Sequence, residues 1–193
     1  VEGTSEEALI SRITLRSMKR AEYTPECKGH FGLSAKYYCH FTSPIRRYPD
    51  LQIHRIIKEN IHGKLNEKYI RHYNTILPDI TKNCSINERR ADDAERDTEK
   101  LKKVEYMRSY IGEEFEGVIS SVVTNWGIYV ELPNTIEGMV HVSNMEDDHY
   151  IYDEPTYSLV GEHTKKTYKL GQSVKVRVVH TDKMTKTIDF VLA

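Results

Sequence analysis

The sequence predicts an α+β protein of two domains, a mostly helical first part followed by a five-stranded β-barrel. Two observations carry that expectation. Hydrophobic spacing changes near Gly112 from the three-and-four pattern of helices to β-branched runs separated by Asn, Gly and Asp. Charge divides at the same place: residues 112–193 hold 7 Lys/Arg against 13 Asp/Glu, whereas residues 1–111 hold 21 against 16. The balances, −6 and +5, mark two regions of different character, and a polyanion would be drawn first to the N-terminal one.

With 193 residues, 38% apolar and 30% charged, the chain has the composition of a soluble globular protein. No stretch approaches the roughly 20 apolar residues that span a bilayer, so no membrane partner is expected. The opening VEGTSEEALI lacks the basic-then-apolar run of a secretory signal and reads as a cut within a longer protein. Cys27, Cys39 and Cys84 are odd in number and without paired spacing, which points to reduced thiols and a cytoplasmic setting.

In chain order, residues 5–18 read as a helix, with Ser5 before an acidic first turn and Leu9, Ile10 and Ile13 at helical spacing. Between Tyr23 and Arg47 periodicity disappears, and Pro25, Gly29, Gly32 and Pro44 interrupt a segment rich in Tyr, Phe, His and Arg, which predicts ordered loop. Pro49 and Asp50 then open a helix that Gly63 ends near His62. A third helix is expected over residues 66–80, with Pro78 near its end. Ser85 and Glu88 match a capping box, which predicts a separate, highly charged fourth helix leading towards Gly112. Its apolar stripe is too broken by Ala, Thr and charge for a sustained coiled coil. Beyond Gly112, strands are expected over residues 117–123, 127–132, 138–142, 173–180 and 187–192.

The segment GHFGLSAKYYCHFTSPIRRYPDLQIHR, residues 29–55, gathers three His, paired arginines and several aromatics on irregular backbone. Loops so furnished commonly serve a site. Arg46 and Arg47 are adjacent, so their side chains diverge: one can reach a cleft while the other pairs with a local acid. A guanidinium offers a planar fork of donors that fits phosphate oxygens; the alternative is a buried arginine tying loops to Asp50. Cys27, His30, Cys39 and His40 admit a zinc reading, although adjacent ligands suit one tetrahedral site poorly. His30, His40 and His54 can equally hydrogen-bond within a polar core.

This segment, preceded by LRSMKRAEYTPE (residues 15–26) and followed by INERRADDAERD (residues 86–97), resembles the C-terminal portion of the catalytic domain of RNB-family exoribonucleases. The resemblance implies a processive, hydrolytic 3′-to-5′ exoribonuclease that uses Mg²⁺ held by aspartates and releases nucleoside 5′-monophosphates from single-stranded RNA. Arg46 matches the arginine the family places at the scissile phosphate, where its charge would stabilise the transition state. Ser43, Arg47, Tyr48 and His54 share the matched stretch and would support the site or line the RNA channel. Glu95, in AERD, matches an acidic position near the RNA path; a solvated helix carboxylate is the other reading. The family's metal-binding aspartates lie in the first half of its catalytic domain. That half is absent here, so no metal ligand is assigned, and the chain is expected to be a fragment that binds RNA without cutting it.

GVISSVVTNWGIYVELPNTIEGMVHVS, residues 117–143, resembles the S1 RNA-binding domain, an OB-fold, which in such exoribonucleases directly follows the catalytic domain. The implied division is 1–111 for the RNB portion and 112–193 for S1. Single strands are held on such surfaces by base stacking and by cations along the phosphates. Trp126, Tyr129 and His141 match the S1 stacking positions, with Ile128 and Val130 expected inside. Lys175, Arg177, Lys183 and Lys186 could line the phosphate path, with a charged outer strand face as the other reading, and the acids at Glu146–Asp148 would repel RNA and sit away from it. A non-catalytic S1 module with a helical docking scaffold is the alternative function.

Overall fold

The computed structural model describes residues 10, 11, 14, 15, 17–124 and 126–193. The helix expected over residues 5–18 falls largely outside them. The chain divides into two compact units, one of Lys19–Glu95 and one built on Arg96–Ala193.

In the first unit the predicted loop is ordered by local pairing. His30 and Ala35 exchange backbone hydrogen bonds across a short 3-10 turn at Phe31–Leu33, and the His30 Nδ1 accepts from the Leu33 N–H at 3.1 Å. Helix α1, Tyr48–Ile61, starts where expected, with Pro49 and Asp50 in its first turn, and Gly63 follows its end at φ +69°. Helix α2 starts at Glu67, where the Asn66 side-chain oxygen accepts from the N–H groups of Lys68 and Tyr69.

The two helices expected over residues 66–80 and from Ser85 onward are a single 41-residue helix, α2, Glu67–Met107, with Pro78 inside it. Proline removes only one donor, and no further Gly or Pro follows as far as Met107. Ser85 caps nothing. Its hydroxyl donates to the Thr81 carbonyl one turn back and accepts the backbone N–H of Tyr23 at 2.9 Å, hooking the loop onto the helix. The Tyr23 hydroxyl donates to Glu88 at 3.0 Å and lies 3.1 Å from His40 Nδ1. Burial, then the hydrogen bond and charge of Glu88, push the Tyr23 hydroxyl up to about 12.

The second unit holds the predicted barrel. Strands β1 (Glu114–Val123), β2 (Gly127–Glu131), β3 (Glu137–His141), β7 (Ser173–Asp182) and β8 (Thr187–Leu192) close in the order β1-β2-β3-β8-β7. All neighbours are antiparallel except β3 and β8. Alternation puts Ile119, Ile128, Val130, Val140, Val176, Val178 and Phe190 in the core, joined by Val104 and Met107 from the last turns of α2. Residues 144–169 contribute a three-stranded sheet, β4 (Tyr150–Asp153), β5 (Ser158–Gly161) and β6 (Thr167–Lys169), that periodicity did not predict.

That insertion explains the acids read as repelling RNA. The Asp148 side chain is almost fully buried and accepts from the N–H groups of His149, His163 and Thr164 and from the Thr164 hydroxyl. The Thr164 hydroxyl foremost, with these neighbours, holds its carboxyl well below the usual range. Asp147 pairs with Lys166 and accepts from the Tyr150 hydroxyl. These are structural pins of the sheet.

Gly138 of the EGMVHVS block sits where a Cβ would lie 2.5–2.8 Å from the ring of Phe190, itself fully buried. Gly138→Ala should lower barrel stability by about 1–3 kcal/mol through overpacking, read as a reduced urea midpoint. Phe190→Leu added to it should recover part of that loss. An unchanged midpoint for the single variant would show that the ring is free to move aside.

Candidate nucleic-acid interface

In the first unit the paired arginines diverge as expected, and the structure shows which points where. Arg47 turns inward: its Nη2 donates to Asp50 Oδ2 at 2.8 Å, and Asp50 is fully buried in the first turn of α1. The same Oδ2 accepts the backbone N–H of Ser43 at 2.7 Å. The Ser43 carbonyl in turn accepts the N–H groups of Arg46 at 3.2 Å and Arg47 at 2.9 Å. Burial pushes the Asp50 carboxyl up, but the Ser43 N–H and the Arg47 guanidinium outweigh it and the net shift is downward. Arg46 projects from this pinned turn, exposed, and its side chain has no hydrogen-bond or ion-pair partner among the described residues.

The other residues of the stretch support the turn. The His54 Nε2 donates to the Phe41 carbonyl at 2.8 Å, and the two rings stack at 4.3 Å, so His54 secures the loop. Tyr48 lies under the Arg55 guanidinium, 5.8 Å from its ring centroid. Glu95 is exposed on α2 and lies in a wholly exposed stretch of that helix. Asp50 holds the turn as the sequence alternative of a buried arginine tied to it describes, with Arg47 as that arginine. Its signal was the Arg47-to-Asp50 spacing of three at a helix start.

In the second unit, alternation buries Ile128 and Val130 completely and leaves Tyr129 half-buried. Gly127 pairs with His141 and Tyr129 with Met139, so the side chains of His141 and Tyr129 share the outer face of β2 and β3. Trp126 is 62% exposed at the turn before β2, its ring 6.3 Å from that of His141 in an edge-on arrangement. Gly127 permits this turn: at φ +140° its backbone lies so close to the Val140 carbonyl that a Cβ would collide with it.

The candidate phosphate-path cations are all engaged in ion pairs. Glu114 receives Lys175 at 2.7 Å and Arg177 at 2.6 Å. Lys183 meets Glu105 at 3.2 Å, and Lys186 pairs with Asp97. An incoming phosphate would compete with these carboxylates. A cavity of 480 Å³ beside β1 is lined by Glu116 and Glu131 among mostly apolar neighbours, a lining that repels phosphate.

Among the described residues no three His, Cys, Asp or Glu side chains are placed to hold a metal ion. The described residues therefore do not by themselves fit a catalytic divalent cation. Cys27 and His40 of the zinc reading are engaged instead, with the Lys36 carbonyl at 3.6 Å and with the Tyr23 hydroxyl.

Residues 1–63 match the RNB domain and residues 110–192 the S1 RNA binding domain. The chain is 47% identical over 190 residues to "Ribonuclease R 1" of Lactococcus lactis subsp. lactis, covering 98% of this chain and 23% of that protein. It is 46% identical over 186 residues to "Ribonuclease R" of Thermotoga maritima, covering 95% and 26%. The apo form of Mycoplasma genitalium RNase R superposes with a TM-score of 0.88 at 27% identity, covering 100% of this chain and 30% of that one. These matches define the class as the end of an RNB domain followed by an S1 domain. Within it, the chain resembles the ribonuclease R proteins, and it spans about a quarter of the length of the curated relatives it matches.

Glu114 provides a pH test of the cation pairing. The hydrogen bonds from Lys175 and then Arg177 hold its carboxyl at about 2 against an ordinary 4.5. Its ionised form thus favours the folded barrel, fully above about pH 4.5 and progressively less as pH falls towards 2. In Glu114→Gln the fall in melting temperature across that window should be shallower than in the parent. Identical acid limbs would show that the three charges are not paired in solution.

Proposed function

We propose that this segment serves a processive, hydrolytic 3′-to-5′ exoribonuclease that releases nucleoside 5′-monophosphates from single-stranded RNA. The observation that carries this reading is the division of labour between neighbouring arginines. Arg47 is neutralised by a buried carboxylate, and Arg46 stands exposed on a fixed turn with its donors unused. A guanidinium so held can donate to the non-bridging oxygens of a phosphate, and its hydrogen bonds strengthen as negative charge accumulates there during attack by water. The structure of Mycoplasma genitalium RNase R in complex with ribose methylated single-stranded RNA, which superposes with a TM-score of 0.88, supports RNA as the partner.

Ser43, Arg47, Tyr48 and His54 support the loop that carries Arg46, and Glu95 adds an acid on the neighbouring helix. Trp126, Tyr129 and His141 are the stacking surface of the S1 barrel, with Lys175, Arg177 and Lys186 exchanging their carboxylate partners for phosphates. We place the division between the RNB portion and the S1 domain at residues 111 and 112. The reaction requires a divalent cation, for which we assign Mg²⁺, and its ligands lie in polypeptide beyond this chain, which alone should leave RNA intact. The setting is cytoplasmic; among the described residues no helix is long and apolar enough to cross a membrane.

In the full-length enzyme, Arg46→Ala should lower turnover by about 10²–10³ while RNA affinity changes little. Equal loss in both would favour the alternative, a binding module on a helical scaffold. Trp126→Ala should weaken RNA binding by about 1–3 kcal/mol. Because Trp126 is the only tryptophan, its fluorescence should change on adding oligoribonucleotide. A signal indifferent to RNA removes the stacking assignment, and release of 5′-monophosphates by the pure 193-residue chain with Mg²⁺ removes the assignment of the metal ligands elsewhere.

A further inference from the structure

We propose that Asp50 is the positioning residue for Arg46, its buried carboxylate fixing the direction in which that guanidinium is presented. The inference rests on the catalytic reading of Arg46 given above and gives Asp50 a role that this reading does not assign to it.

The geometry converges on one oxygen. Asp50 Oδ2 accepts the Ser43 N–H at 2.7 Å and the Arg47 Nη2 at 2.8 Å, while the Ser43 carbonyl accepts the N–H groups of Arg46 and Arg47. The turn from Ser43 to Arg47 is therefore tied through its N–H to Asp50 and through its carbonyl to the two arginines. Asp50 itself sits in the first turn of α1, with Pro49 beside it, so the anchor belongs to a rigid element rather than to the loop it holds. Of the two arginines, it is the Arg46 side chain that is left outside the network among the described residues.

The pair is poorly explained as a stabilising device. Arg47 Nε and Asp50 Oδ1 are both buried and have no hydrogen-bond partner among the described residues. Buried ion pairs with unused polar atoms are commonly no more stable than apolar side chains of the same volume. What they supply is direction, because a carboxylate with two specified donors tolerates one backbone path. The pairing also cancels the Arg47 charge, so that of the two adjacent guanidiniums it is that of Arg46 which remains uncompensated.

The test uses the full-length enzyme and single-turnover cleavage of labelled single-stranded RNA, with RNA affinity and thermal melting measured in parallel. Asp50→Asn keeps an acceptor for the Ser43 N–H and removes the charge that orients Arg47. It should lower the cleavage rate at least about tenfold with affinity nearly unchanged, and in an Arg46→Ala background it should lower the rate no further. Because Asp50→Asn leaves Arg47 buried without a counter-charge, Arg47→Met/Asp50→Asn serves as a second variant. It removes both charges and should show the same rate loss and the same lack of additivity. Losses that multiply with Arg46→Ala, a folded variant with the parental rate, or failure of both variants to fold would each overturn the proposal. Parental turnover in Arg46→Ala alone would overturn the catalytic reading and this inference with it. Normal dependence on Arg46 combined with multiplicative loss at Asp50 would overturn this inference only.

Discussion

A carboxylate that is fully excluded from water must find donors close by or give up its charge. In the first unit that constraint falls on Asp50, and satisfying it organises what surrounds it. One oxygen takes the backbone of Ser43 and the side chain of Arg47, which sets the path of the loop into α1 and draws one of two neighbouring arginines inward. Arg46 is exposed because Arg47 is not. The remaining contacts of the loop, the stacking of Phe41 on His54 and the hook from Tyr23 to Ser85, hold the same backbone from other sides.

The barrel solves a different problem. Strict alternation on β2 places Ile128 and Val130 in the core and leaves the other parity for the outer face, where Tyr129 and His141 lie with Trp126 at the adjoining turn. Two glycines make this possible by letting backbone or ring approach where a side chain would intrude: Gly127 against the Val140 carbonyl and Gly138 against Phe190. The cations of the surface are balanced by Glu114, Glu105 and Asp97, so phosphate binding there, as proposed, would be an exchange of partners. Such exchange contributes less than the pairing of free charges, which leaves more of the affinity to the flat rings.

Much of this was legible in the chain. Pro49, Asp50 and Gly63 mark α1 because their backbone preferences act locally, and the barrel strands show because one face of each is buried. What failed depended on partners distant in sequence. Ser85 and Glu88 have the spacing of a cap, and the same hydroxyl serves equally well as an acceptor for Tyr23, 62 residues away. Glu146–Asp148 read as a repelling run because nothing local reveals that His163 and Thr164 return to meet Asp148 and Lys166 to meet Asp147. The strands β4, β5 and β6 are three or four residues long, too short for alternation to register. The arginines are an intermediate case. Adjacency foretold divergence, but Arg46 and Arg47 stand four and three residues before Asp50, and both spacings permit pairing on a helical face. The choice was made by the helix start, where Arg47 takes the capping position in extended backbone while Ser43 occupies the same carboxylate.

On the proposed function the two units would carry interactions of different thermodynamic kind. On that proposal, stacking on Trp126 and Tyr129 would be the same before and during bond cleavage, so it would hold substrate without lowering the barrier. A guanidinium with unused donors on a fixed turn gains most from charge that appears only as the phosphorus is attacked, and its contribution falls on turnover. Rigidity matters for the second role and hardly for the first, because base stacking tolerates small displacements whereas donors aimed at developing charge must already be in place. That difference accounts for where the order is concentrated. The aromatic surface is carried at the rim of a barrel with Trp126 largely exposed, while the turn bearing Arg46 is held by a buried ion pair, a helix start and a network of backbone hydrogen bonds.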